Sequence, residues 1–537
     1  MTGASQMEKS KRDSKLSAAA LIMSASVLLS RIIGIARDMV FAKLEGTSDA
    51  MDAYVAAFLI PELLNHFIAG GFLSITFIPL FQKHLLREAK EQAWDLFSNI
   101  LTIGSIVTAV FVLLGIFFTD DLLRFALSIN ASENTLRSPQ WIGLTVKLTR
   151  IVLPAQLFFY WGFVLIAVQY AHKRFLAPSL MGVIYNLGII ALGTILHKRM
   201  GIEGFAWGVL IGAFAGAVII QIIGARLVGL RFRPLVRPTE PDFVRFLLLS
   251  IPFVIGMGMT FSNEILFRLF GMYLDRGAIA GLNYALRLMM VVVGIIGQAA
   301  AQASYPFMSQ LAQQSKLSEL NTLANSVIAK ICTFAIPLSA VMIAVAPEVV
   351  AVIYQHGEFG PESARLTSQL LSLYLIGAFA LSSNTIVMRN FYATQNTLFP
   401  MVISTLVIAV SIPFYMQAIS HLGVIGVPLT NAISMLIQFV VLYLLWSHKK
   451  LNMQGCRATL YTIVKIWLIA AVGAVISYGL KTWLGSISVL AGSGKGASFM
   501  RGLLVGAPAL LLIFLLLDLT GISSVRHSLR SLLRRRS

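Results

Sequence analysis

Apolar residues run along this chain in blocks of about twenty, broken by short polar stretches. A helix needs about 20 predominantly apolar residues to cross the hydrocarbon core of a bilayer. On that measure the pattern predicts fourteen spans, near 16–43, 52–81, 93–119, 143–170, 177–197, 204–227, 243–270, 278–307, 322–350, 367–391, 398–418, 424–447, 458–482 and 499–520. The start, "MEKSKRDSK" followed by "LSAAALIMSASVLLS", has the outline of a secretory signal. Its apolar run continues past any small-residue cleavage site into Arg31, so a retained first helix is expected.

Composition agrees with an all-α polytopic membrane protein. The chain is 57% hydrophobic and 12% charged, with a mean hydropathy of +0.81, against roughly 45–50% and 25% for soluble domains. A formal charge of +19 has to collect in loops, tails or a polar interior. The loops "FQKHLLREAK", "HKRF", "RLVGLRFRPLVRP" and "SHKK" and the tail "RHSLRSLLRRRS" share one side with the N-terminus in a fourteen-helix count. The positive-inside rule makes that side cytoplasmic, so both termini are expected in the cytoplasm. "EGTSDAMD", "TDDLLRFALSINASENTL" and "HGEFGPES" on the other side are acidic or neutral; "HKRMG" runs against the pattern. No nucleic-acid partner is expected from this charge. Cys332 and Cys456 lie far apart with no metal-ligand spacing around them, so no metal and no cofactor is expected.

An internal repeat organises the helices. "YAHKRFLAP" sets Tyr170, Ala171, Leu176 and Pro178 where "YATQNTLFP" sets Tyr392, Ala393, Leu398 and Pro400, an offset of 392 − 170 = 222. The same offset carries Gly201 and Gly204 of "GIEG" onto Gly423 and Gly426 of "GVIG". The expected organisation is two pseudo-symmetric six-helix lobes, 1–235 and 236–450, followed by a helix pair and basic tail in 451–537. Transporters built from repeats bind substrate between the halves.

The candidate chemistry lies in charges within spans. In "LLSRIIGIARD", Ser24, Arg31 and Asp38 fall on one helix line, and Ser30 and Arg37 on a second line about 100° away. Either these charges pair or snorkel, or they face a water-filled cavity. An arginine deep in the bilayer costs roughly 2.5–3.5 kcal/mol on insertion scales, and Arg31 has no acidic neighbour one turn away. The second span carries Asp52, Glu62 and His66; the seventh carries Glu264 and Arg268, spaced to bond within their own helix; the eighth carries Arg287. Fixed cations in a cavity suit an anionic substrate, and guanidinium forks suit phosphate oxygens. A membrane enzyme acting on polyprenyl lipids would call for clusters of aspartate or histidine, and none stands out. "GSGKGAS" lacks the first glycine, the Ser or Thr after lysine and the preceding strand of a phosphate loop. No enzymatic activity is expected.

The segments "SRIIGIARD", "DAYVAAFLIPELL", "FIPLF", "NYALRLMM", "IYQHGEF" and "FYATQNTLFP", in order from about residue 15 to 450, resemble the MurJ/MviN family of lipid II flippases, within the superfamily that holds polysaccharide flippases and multidrug exporters. The resemblance implies two lobes around a cationic cavity that moves undecaprenyl-pyrophosphate-linked peptidoglycan precursor outward across the bacterial cytoplasmic membrane by alternating access, with a groove for the lipid tail at the last two helices. It implies that the family's first-helix arginines and acid fall on Arg31, Arg37 and Asp38, its second-helix aspartate on Asp52 and its eighth-helix arginine on Arg287. Together with the other charges and polar groups within spans, this makes Ser30, Arg31, Arg37, Asn65, His66 and Arg287 the candidate substrate contacts, and Asp38, Asp52, Glu62, Glu264 and Arg268 the candidate conformational residues. Partners would be the lipid-linked glycan pyrophosphate and membrane lipids, with membrane potential or a coupling ion as the drive. One departure stands out: where the family commonly has two arginines and a later glutamate, "IPELLNHFIAGG" offers Asn65, His66 and Gly70, and Glu62 replaces an asparagine. A less cationic cavity leaves open another polyprenyl-linked glycan as cargo, and, further off, a drug or ion antiporter.

Overall fold

The computed structural model describes residues 26, 29–68, 76–128, 137–258, 262–396, 398–449, 453–485 and 494–522; Ser24, Gly70 and the basic tail lie outside them. The described residues contain helices and no strand. Two compact units form, Met1–Phe261 and Ser262–Ser537. The first holds α1 (29–45), α2 (Asp49–Ala56), α3 (Leu59–Ile68), α4 (Ile78–Leu86), α5 (Lys90–Ser128), α6 (Pro139–Val152), α7 (Ala155–Ala171), α8 (Leu176–Met200), α9 (Glu203–Ala213), α10 (Ile220–Arg226) and α11 (Pro241–Gly258). The second holds α12 (Ser262–Gly271), α13 (Ala278–Val292), α14 (Ala299–Gln313), α15 (Leu317–Ala344), α16 (Ala346–Tyr354), α17 (Pro361–Ala393), α18 (Leu398–Leu422), α19 (Gly426–Lys449), α20 (Met453–Gly485) and α21 (Lys495–Leu519).

Ten helical stretches among the described residues are long and apolar enough to cross a membrane. One of them, Leu398–His448, contains both α18 and α19, joined by a turn at Gly423–Ile425. Several predicted spans are broken. The second divides into α2 and α3 at Ala57 and Phe58, with α4 following. The eighth is α13 and α14 joined through a π-turn at Val293–Gln298, and the ninth splits at Val345 into α15 and α16.

The 222-residue offset recurs in the geometry. Helices α8 and α18 are both 25 residues long and both ends are shifted by 222, since 176 + 222 = 398 and 200 + 222 = 422. The turns before them place Lys173 at φ 57° and Gln395 at φ 59°; the turns after them place Gly201 at φ 56° and Gly423 at φ 59°. A left-handed residue there stops one helix and lets the next return beside it. The second glycine of each motif then permits the close approach. A Cβ at Gly204 would lie 2.8 Å from the Cβ of Leu196, and one at Gly426 would lie 2.5 Å from the carbonyl oxygen of Ala418. Leu196 and Ala418 are again 222 apart.

The long basic linker is bound to the first unit. Backbone N–H groups of Arg233, Leu235 and Arg237 donate to Ser98 Oγ (3.2 Å), Thr102 Oγ1 (3.4 Å) and Asn99 Oδ1 (2.8 Å) on α5. Arg233 Nε also reaches Asp95 at 2.8 Å. Just beyond, Asp242 at the start of α11 accepts from His84 Nε2 at 2.8 Å and faces Lys83 Nζ at 3.5 Å. Burial alone would raise the Asp242 carboxyl, but the His84 hydrogen bond and the Lys83 charge outweigh it and hold the group below the usual carboxylate range. Phe243 and Phe246 then enter the aromatic core formed by Phe77, Phe81, Trp94 and Phe97. The linker and α11 therefore pack as part of the first unit, whereas the repeat alone places a boundary at 235.

Candidate functional site

Helix α1 carries Arg31, Arg37 and Asp38 within eight residues. Ser30 lies against α8, where a Cβ at Gly182 would meet its Oγ at 2.7 Å. Arg31, one residue on, is partly exposed. Two turns further, Arg37 donates from Nη2 to Asp38 Oδ1 at 2.8 Å, from Nε to the same oxygen at 3.1 Å, and from Nη1 to Asn186 Oδ1 at 2.9 Å. Asn186 is itself held through Nδ2 to the Gly182 carbonyl at 2.8 Å. The Arg37 guanidinium also lies over the Phe41 ring, 5.9 Å from its centre. Asp38 is buried and the Arg37 side chain is 17% exposed.

This arrangement refines the sequence expectation. Pairing, the plainer of the two sequence readings, applies to Arg37 and Asp38. Pairing does not exhaust the arginine, however. A guanidinium has five N–H donors, the three contacts above use three, and 5 − 3 leaves two. Asp38 and Asn186 thus fix the fork in one orientation, and two of its donors lie outside these contacts.

The second span divides its candidates. Asp52, fully buried, pairs with Arg137 Nη2 at 3.3 Å, and Arg137 Nη1 lies 3.7 Å from Asp49. Local sequence sets where each partner stands on its own helix. Ser48 caps α2 by accepting from the Met51 N–H at 3.1 Å, which sets both acids in the first turn. Ser138 caps α6 by accepting from the Trp141 N–H at 3.2 Å, which leaves Arg137 just before the cap and over the Trp141 ring at 4.8 Å. Glu62 and Asn65 lie on α3, partly exposed, and the Asn65 carbonyl oxygen is buried with no hydrogen-bond partner among the described residues. The His66 side chain lies outside the described residues.

In the second unit, Arg268 and Glu264 bond within α12 as their spacing predicts. Arg268 Nη1 donates to the Glu264 carbonyl at 3.0 Å, and the two side chains approach to 3.8 Å. Arg287 lies on α13, partly exposed among buried neighbours. Its helix is anchored one turn earlier, where Tyr284 packs on Tyr354 (4.9 Å between ring centres) and Phe359 (5.4 Å). The motifs "NYALRLMM" and "IYQHGEF" are therefore two sides of one aromatic cluster. No group of three or more His, Cys, Asp or Glu side chains among the described residues is placed to hold a metal.

Sequence reasoning passed over four partners. Arg137 and Asn186 complete Asp52 and Arg37. His197, in the last turn of α8 and part of the "HKRMG" stretch that broke the charge pattern, pairs with Glu45 at the end of α1 at 2.9 Å. Arg389 donates to the Ala301 carbonyl at 2.6 Å and covers the Tyr305 ring at 5.3 Å. An amide in an apolar stretch was the available signal for Asn186, and a charge in the second half of α17 for Arg389; nothing local marks Arg137.

Residues 41–490 match the family model described as Lipid II flippase MurJ. A probable lipid II flippase MurJ of Treponema pallidum (strain Nichols) is 26% identical over 497 residues, spanning 89% of this chain and 90% of that protein. The lipid II flippase MurJ of Burkholderia cenocepacia is 24% identical over 434 residues, spanning 79% and 83%. Among solved structures, a lipid II flippase MurJ in an inward closed conformation aligns with a TM-score of 0.74 at 22% identity, covering 94% of this chain and 100% of that one. A multidrug-resistance MATE transporter in an inward-facing conformation aligns at 0.66 and 14% identity, covering 81% and 99%, which shows a shared fold. The chain belongs to the lipid II flippase MurJ family.

Proposed function

We propose that this chain carries lipid II across the bacterial cytoplasmic membrane, from the inner to the outer leaflet, by alternating access of two lobes. The observation that supports this most is the Arg37 fork, locked by Asp38 and Asn186 with two donors outside those contacts. A pyrophosphate presents several anionic oxygens, and fixed guanidinium donors match them at little ordering cost. Arg31 on the same side of α1 and Arg287 on α13 complete the proposed binding set, with Ser30, Asn65 and His66 as neutral contacts. Asp38, Asp52, Glu62, Glu264 and Arg268 hold the helices that move. Six helices in each lobe, with α20 and α21 appended, is the organisation assumed. Membrane potential acting on the charged site, at about 2.3 kcal/mol per charge per 100 mV, is the proposed drive, with a coupling ion as the alternative.

The test is to express the protein in bacteria depleted of their own lipid II flippase. Rescue by the native chain, lost on Arg31→Ala or Arg287→Ala at unchanged membrane level, supports the reading. Failure of a well-inserted native chain overturns it in favour of a flippase for another polyprenyl-linked glycan, a second reading supported by the neutral Asn65 and His66. In that event Asn65→Arg with His66→Arg should restore rescue.

A further inference from the structure

The second unit bears a groove of about 630 Å³ between α14, α15 and α21, within the range of specific small-ligand sites. Ile296, Phe307, Phe334, Leu338, Leu510 and Phe514 form its walls, with the rings of Phe334 and Phe514 5.7 Å apart. Its lining is apolar apart from Ser304 and Lys330. Lys330 is exposed and has no ion-pair or hydrogen-bond partner among the described residues. It is also the one charge between 327 and 347. The preceding turns of α15 are polar, with Ser318, Glu319, Asn321, Thr322, Asn325 and Ser326, so Lys330 lies about one turn inside the apolar run. Its ammonium can reach the headgroup level while its stem stays against the groove wall.

An uncompensated ammonium at the rim of an apolar furrow matches an amphiphile whose head carries one negative charge. A lysine is a compact point charge, suited to a phosphodiester, whereas a pyrophosphate is better met by guanidinium forks such as that of Arg37. The fourteen-span count puts this end of α15 on the cytoplasmic side, where anionic lipids concentrate. We propose that the groove is a site for an anionic phospholipid of the cytoplasmic leaflet, with an acyl chain lying along α14, α15 and α21 and its phosphodiester held by Lys330. A chain lodged there joins the C-terminal helix α21 to α14 and α15. The groove is lined by α21 and by no residue of α20, and none of its lining residues is among the cargo contacts proposed above.

The experiment uses the full chain in nanodiscs of phosphatidylcholine with a minor fraction of phosphatidylglycerol, followed by native mass spectrometry of the lipids that stay bound on release. The native protein should enrich phosphatidylglycerol. Lys330→Gln should lower that enrichment about three- to tenfold, the change expected for one charge-assisted contact at a partly exposed site, and Lys330→Arg should keep it. Ala303→Trp, at an exposed lining position, should fill the groove and reduce retention of both lipids. No enrichment by the native protein, enrichment unchanged in Lys330→Gln, or retention unchanged in Ala303→Trp would each overturn the proposal. So would displacement of phosphatidylglycerol by undecaprenyl pyrophosphate in a manner that depends on Lys330, which would assign the groove to a polyprenyl chain.

Discussion

At the scale of single residues, the candidate charges differ less in identity than in what holds them. Asp52 and Arg137 form an ion pair with side chains 0% and 8% exposed. Removing one partner of such a pair leaves the other charge buried and typically costs about 3–5 kcal/mol. Asp52→Ala is therefore expected to lower the melting temperature of the purified protein markedly, and so is Arg137→Ala. The reversed pair, Asp52→Arg with Arg137→Asp, should recover part of the loss. Equal loss in the double variant would show that the residues act separately. Asn186→Ala should act otherwise. It removes one strut of the Arg37 fork without removing a charge, so transport should fall while the melting temperature moves by about 1 kcal/mol or less in equivalent stability.

A third residue-scale prediction follows from the linker clasp. Asp242 is held below its ordinary range, so its charged form stabilises the folded state above the unfolded value of about 3.9, and that contribution is lost as pH falls through the lower folded value. Asp242→Asn should thus destabilise at neutral pH, and the gap to the native protein should close only below about pH 4. Melting curves across pH check this; a gap that closes between pH 5 and 7 would contradict it.

Secondary structure was the most legible scale in the sequence, because a bilayer demands long apolar runs and the chain has little freedom to disguise them. Helices α8 and α18 match to the residue the shift that two short motifs had implied. Breaks were less legible. In "DAYVAAFLIPELL" the one local sign of the interruption at Ala57 and Phe58 is Pro61, which cannot donate to the carbonyl of Ala57 four residues back, and no periodicity announces the π-turn after α13. Ion-pair partners were hardest to see, since Arg137 meets Asp52 across 85 residues and such a pairing is decided by packing. The glycine motifs give a prediction at this scale. Gly423→Ala meets open space and is charged only for its positive φ, whereas Gly426→Ala would drive a Cβ into the Ala418 backbone. The second should reduce the yield of monodisperse protein well beyond the first; equal yields would mean that α18 and α19 can separate at no cost.

For the whole molecule, family and fold agree with the apolar pattern on a multi-pass transporter. The proposal to be tested is that Arg31, Arg37 and Arg287 serve lipid II transfer. The most direct measurement is transfer itself. Purified protein is reconstituted in vesicles with labelled lipid II confined to one leaflet, and its appearance in the other is followed under an imposed potential. The native chain should transfer lipid II faster than protein-free vesicles, with Arg37→Ala slower by about ten- to a hundredfold, as the loss of one charge-assisted contact implies. Transfer by the native chain no faster than by protein-free vesicles, or unchanged by Arg37→Ala, Arg31→Ala and Arg287→Ala together, would contradict the account.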